Sequence, residues 1–229
     1  MVAIVLVLLA LLVPALSGAR EMGRSVVCRS NLRQISTCWS LWLSDHTNVF
    51  PNLYAPNLNG AGWTSDVGGF YWGTLLTAYS ADARSLFRCP SSTRDADPWY
   101  LETGTYHWEQ SDFATYGLNR MPLERDRQAL VASTVRRPAS TVLAQDAAEQ
   151  VMDGSAWTTV NADTLSAGAS TVNLTQWRSL LGAYPWALDG WWRHSSKSAC
   201  NTVWMDGHVD AWRRTDGHDV DPRRYTGDW

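Results

Sequence analysis

Hydrophobic and polar positions divide the front of this chain into two helical regimes. Met1 to Ala19 (MVAIVLVLLALLVPALSGA) carries no charge. At the α-helical rise it spans roughly 28 Å, close to the ~30 Å hydrocarbon core of a bilayer, and so predicts a membrane anchor. A cleavable signal peptide, with Ser17, Gly18 and Ala19 as the processing site, is the competing reading. Retention is favoured because no Lys or Arg precedes the run and because the helical pattern crosses the would-be cleavage point without a turn signal. Pro14 removes one backbone hydrogen bond, a defect that membrane helices tolerate better than soluble ones. From Arg20 the pattern becomes amphipathic. Cys28, Leu32, Ile35, Trp39 and Trp42 recur at spacings of 4, 3, 4 and 3, one stripe on a helix reaching about Ser44. Arg24, Arg29, Arg33 and Gln34 lie off it, so the stripe needs a covering surface. Asp45, His46, Thr47 and Asn48, followed by Pro51, read as the helix stop.

Beyond that stop the periods shorten. Pro51 to Gly69 is rich in Asn, Gly and Pro and reads as loop. Tyr71 to Tyr79 places Trp72, Leu75, Leu76 and Tyr79 on one face of a short second helix. Phe87-Arg88-Cys89-Pro90 reads as a brief strand closed by proline, and 91 to 114 as irregular. Thr115 to Asn119 reads as a short extended piece, and Thr141 to Gln145 as a strand ending at Asp146. No clean period runs from Ala147 to Trp192, which reads as a surface insertion carrying Trp157, Trp177, Trp186, Trp191 and Trp192. Asn201 to Met205 and His208 to Arg213 flank Asp206-Gly207, a two-residue connection that predicts a type I′ hairpin, with Trp204 and Trp212 placed to meet across it. The elements predict an α+β fold in three parts: an anchor at 1–19, its amphipathic continuation at 20–48, and a globular domain at 49–229 with an insertion at about 147–192.

Composition changes this picture in three places. The 19 basic and 22 acidic side chains give a net charge of −3 without long runs, which leaves no nucleic-acid footprint. Trp is over-represented, 14 against 4 Phe, either to fill a Phe-poor core or to expose rings to a sugar or a partner. Four cysteines, Cys28, Cys38, Cys89 and Cys200, suit an oxidising, exported location. Cys28 and Cys38 on one helix stand ~15 Å apart, too far to pair, which leaves either of them bridging to Cys89 or Cys200. Buried free thiols are the alternative.

The stem LLVPALSGAREMGRSVVCRSNLRQI resembles the N-terminal helix of type IV pilin-like (pseudopilin-like) proteins of planctomycete-type bacteria, in which a PAL-x-x-AR-E segment precedes C-x-x-NLRQ. Phe87-Arg88-Cys89-Pro90, Tyr116 to Asn119, Arg137 to Val142 with Asp146, and Arg193-His194 ahead of Val203 to Val209 follow in that family's order. The last block resembles the His-x9-Asp-Gly signature of the prepilin-type processing-associated family, with eleven residues rather than nine between His194 and Asp206. The basic leader and Phe-Thr-Leu-(Ile/Val)-Glu stretch of that family are not in this sequence. Either the start lies upstream, or this copy is not processed and assembled normally. Arg20 and Arg24 follow the anchor, which by the positive-inside tendency places the body in the cytoplasm; the resemblance implies the opposite orientation.

The resemblance implies a stem that is membrane or filament core, packed through its second half on an antiparallel sheet. The function it implies is that of a single-pass, inner-membrane structural subunit of a type II secretion or type IV pilus-like system. Its body would lie in the periplasm or at the cell surface, with other pilin-like subunits and the assembly machinery as partners. An anchored carbohydrate-binding module, using the Trp157 to Trp192 insertion on polysaccharide, is the alternative. For chemistry, Asp146, His194, Asp206 and His208 are the candidate metal ligands, for calcium through the carboxylates or zinc through the imidazoles. Against them stand structural roles: Asp206 for the turn, Asp146 at a strand end, His194 bonded to the hairpin backbone. No Gly-rich phosphate loop, His-Glu-x-x-His or nucleophile elbow occurs, so no enzyme is expected.

Overall fold

One helix, α1 (Val2–Asp45), runs through both regimes without interruption. The computed structural model describes residues 2–51, 72–81, 83–92, 115–119, 130–146, 151–152, 172–173, 193–196, 198–213, 219–220 and 224. The α1 stem is apolar and bare: Ile4, Leu8, Leu11, Leu12 and Leu16 are all exposed. It is long and apolar enough to cross a membrane. The second half of α1 buries the expected stripe, Cys28, Leu32, Ile35, Trp39 and Trp42, together with Cys38. Left-handed backbone at Thr47 and Asn48 ends α1, with the Asn48 N–H donating to the Leu43 carbonyl (2.7 Å).

The stripe is covered by a five-stranded sheet. Strands β1 (Tyr116–Asn119), β2 (Val142–Asp146), β5 (Ala199–Trp204) and β6 (Val209–Arg213) pair antiparallel in turn, while the two-residue β3 (Val151–Met152) pairs parallel to β1, which gives the order β3-β1-β2-β5-β6. Two further short strands, β4 (Val172–Asn173) and β7 (Asp219–Val220), pair with each other. α1 packs on β5, β6 and β2, and two 3-10 helices, Trp72–Tyr79 and Arg84–Phe87, flank it. The expected α+β class is thus the observed one. Trp39 joins the layers: its ring stacks on Trp72 (6.5 Å between centroids) and meets Trp42 and Phe50 at 6.3 and 5.9 Å. Every position of β2 and β5 is buried, so both faces of the sheet centre are covered.

Three expected elements differ in detail. The second helix is present over Trp72–Tyr79 but wound as 3-10. Phe87 to Pro90 is not a strand: Phe87 ends a 3-10 turn, and Thr115 takes the place of a partner strand. The Thr115 hydroxyl accepts from the Cys89 N–H (2.9 Å) and donates to the Phe87 carbonyl (2.8 Å), satisfying buried backbone without a ladder. The last hairpin is not a two-residue type I′ connection. Trp204 pairs with His208, the Gly207 N–H donates to the Trp204 carbonyl (2.9 Å), and only Gly207 has positive φ (+88°) in the turn, the pattern of a three-residue loop with a bulge at glycine. Trp212 stands opposite Cys200 rather than Trp204, yet the two indoles meet at 5.6 Å and share the Arg224 guanidinium.

Gly207 also fits against α1, since a Cβ there would sit 3.1 Å from Ser36 Oγ. Gly207→Ala is therefore expected to cost roughly 1–2 kcal/mol from its left-handed backbone alone, read as a lowered melting temperature. Gly207→Asn, which tolerates that backbone region better, should lose less of it.

Candidate metal centre

Four chain segments that are distant in sequence converge where α1 leaves the body. Cys28 comes from the buried stripe of α1. Cys89 follows the Arg84–Phe87 turn and is held by Thr115. Asp146 is the last residue of β2, and His194 precedes β5, pairing its backbone with Ala199 across a turn in which Ser195 and Ser196 adopt positive φ. All four side chains are fully buried, and one donor atom from each lies within 4.8 Å of the others. The nearest edges are Cys28 Sγ to Asp146 Oδ1 at 3.2 Å, His194 Nε2 to Asp146 Oδ2 at 3.3 Å, and Cys89 Sγ to His194 Nε2 at 3.4 Å.

The surrounding groups fix these donors. Glu21 Oε1 is 3.0 Å from His194 Nδ1; a carboxylate only accepts, so Nδ1 carries the proton and Nε2 faces the cluster. Ser91 donates to the same Glu21 oxygen (2.8 Å). The Asn201 N–H donates to Asp146 Oδ2 (2.7 Å), and buried Arg193 lies 3.9 Å from Asp146 Oδ1. The buried Tyr116 hydroxyl lies beside Cys28 and meets no other hydrogen-bond partner.

Without an ion the cluster holds protons unequally. Burial raises the Cys28 thiol well above its ordinary range, with the neighbouring Cys89 and Asp146 adding to the shift. Burial also disfavours the Cys89 thiolate, but the Cys28 hydrogen bond, helped by His194 and Arg193, brings Cys89 down to about 6. Burial alone would lower the His194 imidazole; its bonds to Asp146 and Cys89 carry it up to about 10. Thiolate, imidazolium and Glu21 are connected like a nucleophile, base and orienter. Cys89 and His194 have 0% exposure, however, so no substrate reaches the sulfur in this conformation. A closed set of two sulfurs, an imidazole nitrogen and a carboxylate oxygen is instead suited to enclosing a cation.

The sequence-derived candidates are thus redistributed. Asp146 and His194 meet. Asp206 and His208 pair with each other at the exposed hairpin tip, where Asp206 Oδ1 accepts from the His208 N–H (3.1 Å) and lies 2.6 Å from His208 Nδ1. His194 engages Glu21, Asp146 and Cys89 through its ring, while its backbone exchanges hydrogen bonds with Ala199 at the start of β5, as expected of a residue bonded to the hairpin backbone. All four cysteines are buried free thiols. Cys28 and Cys89 face each other in the cluster, Cys38 donates to the Tyr79 carbonyl (3.4 Å), and Cys200 donates to the Asp146 carbonyl (3.5 Å). Trp157, Trp177, Trp186, Trp191 and Trp192 lie outside the described residues. Glu21 is the member that the pattern reading passed over. It precedes Cys28 by two helical turns and so continues the stripe, but a carboxylate does not register in an apolar period.

No protein-family model, curated protein or solved structure matches this chain. Geometry and chemistry therefore carry the functional argument.

Proposed function

We propose that this chain is a membrane-anchored, pilin-like structural subunit, acting through assembly with similar subunits in a type II secretion or type IV pilus-like system rather than through catalysis. Its stem lies in the inner membrane and its body faces the periplasm or the cell surface. The observation that carries this reading is the continuity of α1. Its first half is an exposed apolar cylinder, and its second half is buried on an antiparallel sheet in the same domain. An apolar rod held rigidly by a folded head suits lipid before assembly and neighbouring rods after it, because both bury the same side chains.

Cysteine cross-linking in the stem tests this directly. All four native cysteines are buried, so Leu8→Cys introduces an exposed thiol against a low background. The full chain should sediment with membranes, require detergent for release, and give Leu8→Cys dimers on mild oxidation when co-expressed with the assembly machinery. A chain that sediments with membranes but gives only monomers would overturn assembly while leaving the anchor intact. Leu8→Arg should reduce membrane retention, since a charge in the middle of such a helix costs about 2.5–3.5 kcal/mol.

A further inference from the structure

We infer that Cys28, Cys89, Asp146 and His194 bind one structural zinc ion that clamps the membrane helix to the sheet. Four donors on one cation at Zn–S of about 2.3 Å and Zn–N and Zn–O of about 2.0–2.1 Å define a tetrahedron with edges of roughly 3.3–3.8 Å. Two contacts that share His194 Nε2, to Asp146 Oδ2 at 3.3 Å and to Cys89 Sγ at 3.4 Å, stand at or near that spacing; Cys28 Sγ lies 3.2 Å from the other carboxylate oxygen, Oδ1, and one donor atom from each of the four residues lies within 4.8 Å of the rest, so small side-chain shifts close the set around an ion. Two thiolates and an imidazole are soft and borderline donors, which select zinc over calcium.

The surroundings are those of an ion site. Glu21 on His194 Nδ1 forms the carboxylate–histidine pair that orients a zinc ligand and raises its basicity. Two thiolates and one carboxylate carry three negative charges, which one zinc and the Arg193 guanidinium balance. Ligated, Cys28 becomes a thiolate and a stronger acceptor for the buried Tyr116 hydroxyl beside it. Complete burial of all four donors leaves no open coordination position, the mark of a structural rather than a catalytic ion. Binding displaces the Cys28 thiol proton and the His194 Nε2 proton to solvent, and no redox partner is needed. The ion ties residues 118 and 105 positions apart in sequence, Cys28 to Asp146 and Cys89 to His194. This inference does not depend on assembly, and the cross-linking result above leaves it unchanged.

Metal analysis of the full chain, extracted in detergent without a histidine tag, chelator or added reductant, is the test. One zinc per chain is expected. Replacement by cobalt(II) should give the intense visible bands of a tetrahedral site and near-ultraviolet thiolate charge transfer. Cys28→Ser with Cys89→Ser should abolish both, whereas Cys38→Ser with Cys200→Ser should keep them. A metal-free chain with four alkylatable thiols would overturn the inference, as would a Cys28–Cys89 disulfide, two hydrogens lighter and unreactive until reduced. Zinc persisting in the Cys28/Cys89 double variant would also overturn it. If that variant fails to fold, the cobalt spectrum of the unaltered chain decides alone, because a site without thiolate bands is not this one.

Discussion

Replacing Trp39 by Ala is expected to cost about 3–5 kcal/mol, the usual penalty for emptying a buried aromatic site. Trp39 is 1% exposed and is the ring through which α1 holds Trp72 and Phe50 at once, edged by Trp42 of the same helix. Its loss opens a cavity between α1 and the Trp72–Tyr79 helix that neither rigid element can close. Against a typical stability of about 5–15 kcal/mol this is a large share. Thermal unfolding of the detergent-solubilised chain, followed by near-ultraviolet circular dichroism, reads the effect. Trp39→Phe should lose less. Leu41→Ala, on the half-exposed face of the same helix, should fall within about 0.5 kcal/mol of the unaltered chain. Equal effects at positions 39 and 41 would mean that the stripe is not the core.

The second large effect is expected at Asp146. Its buried carboxylate accepts from the Asn201 N–H, meets His194 Nε2 and Cys28 Sγ, and supplies counter-charge to Arg193. Asp146→Ala leaves a buried amide without an acceptor and buried positive charge without its nearest carboxylate, a loss of about 3–5 kcal/mol. Asp146→Asn keeps the shape and an acceptor for Asn201 but not the charge, and should fall between the two. Unfolding midpoints ordered Asp, Asn, Ala from most to least stable are the expected result. Asn and Ala variants of equal stability would show that charge alone matters at this position.

Much of the fold is legible in the residues because it is written in local periods. The 4-3-4-3 spacing of Cys28 to Trp42 can bury one face only as a helix. Thr141 to Gln145 and the hairpin flanks are short apolar runs between turn signals. Phe87 to Cys89 is legible only as a short apolar run, and such a run does not say what satisfies its backbone. A threonine 26 residues from Cys89 does so, where a strand was expected. Likewise Asp206-Gly207 fixes that the chain turns, but whether one or two residues adopt positive φ follows from the β5–β6 register, which pairs Trp204 with His208 and leaves three residues between them. The candidate metal centre is half legible. Asp146 and His194 stand out as polar groups beside strands. Cys28 and Cys89 read equally well as disulfide partners or as core, since convergence of four segments is a property of packing that no local spacing carries. Glu21 is hidden for another reason, as a charge continuing an apolar stripe.

The uninterrupted helix has a mechanical consequence. A pull along the axis of α1 loads the Cys28 cluster, Leu32, Ile35, Trp39 and Trp42 together, in shear, so that all must yield at once. A sideways tilt of the stem loads them one after another, beginning with Glu21 on His194 and then Cys28. The body is therefore built to resist a lengthwise pull on its stem and to yield by peeling, with the buried cluster at the point where peeling starts.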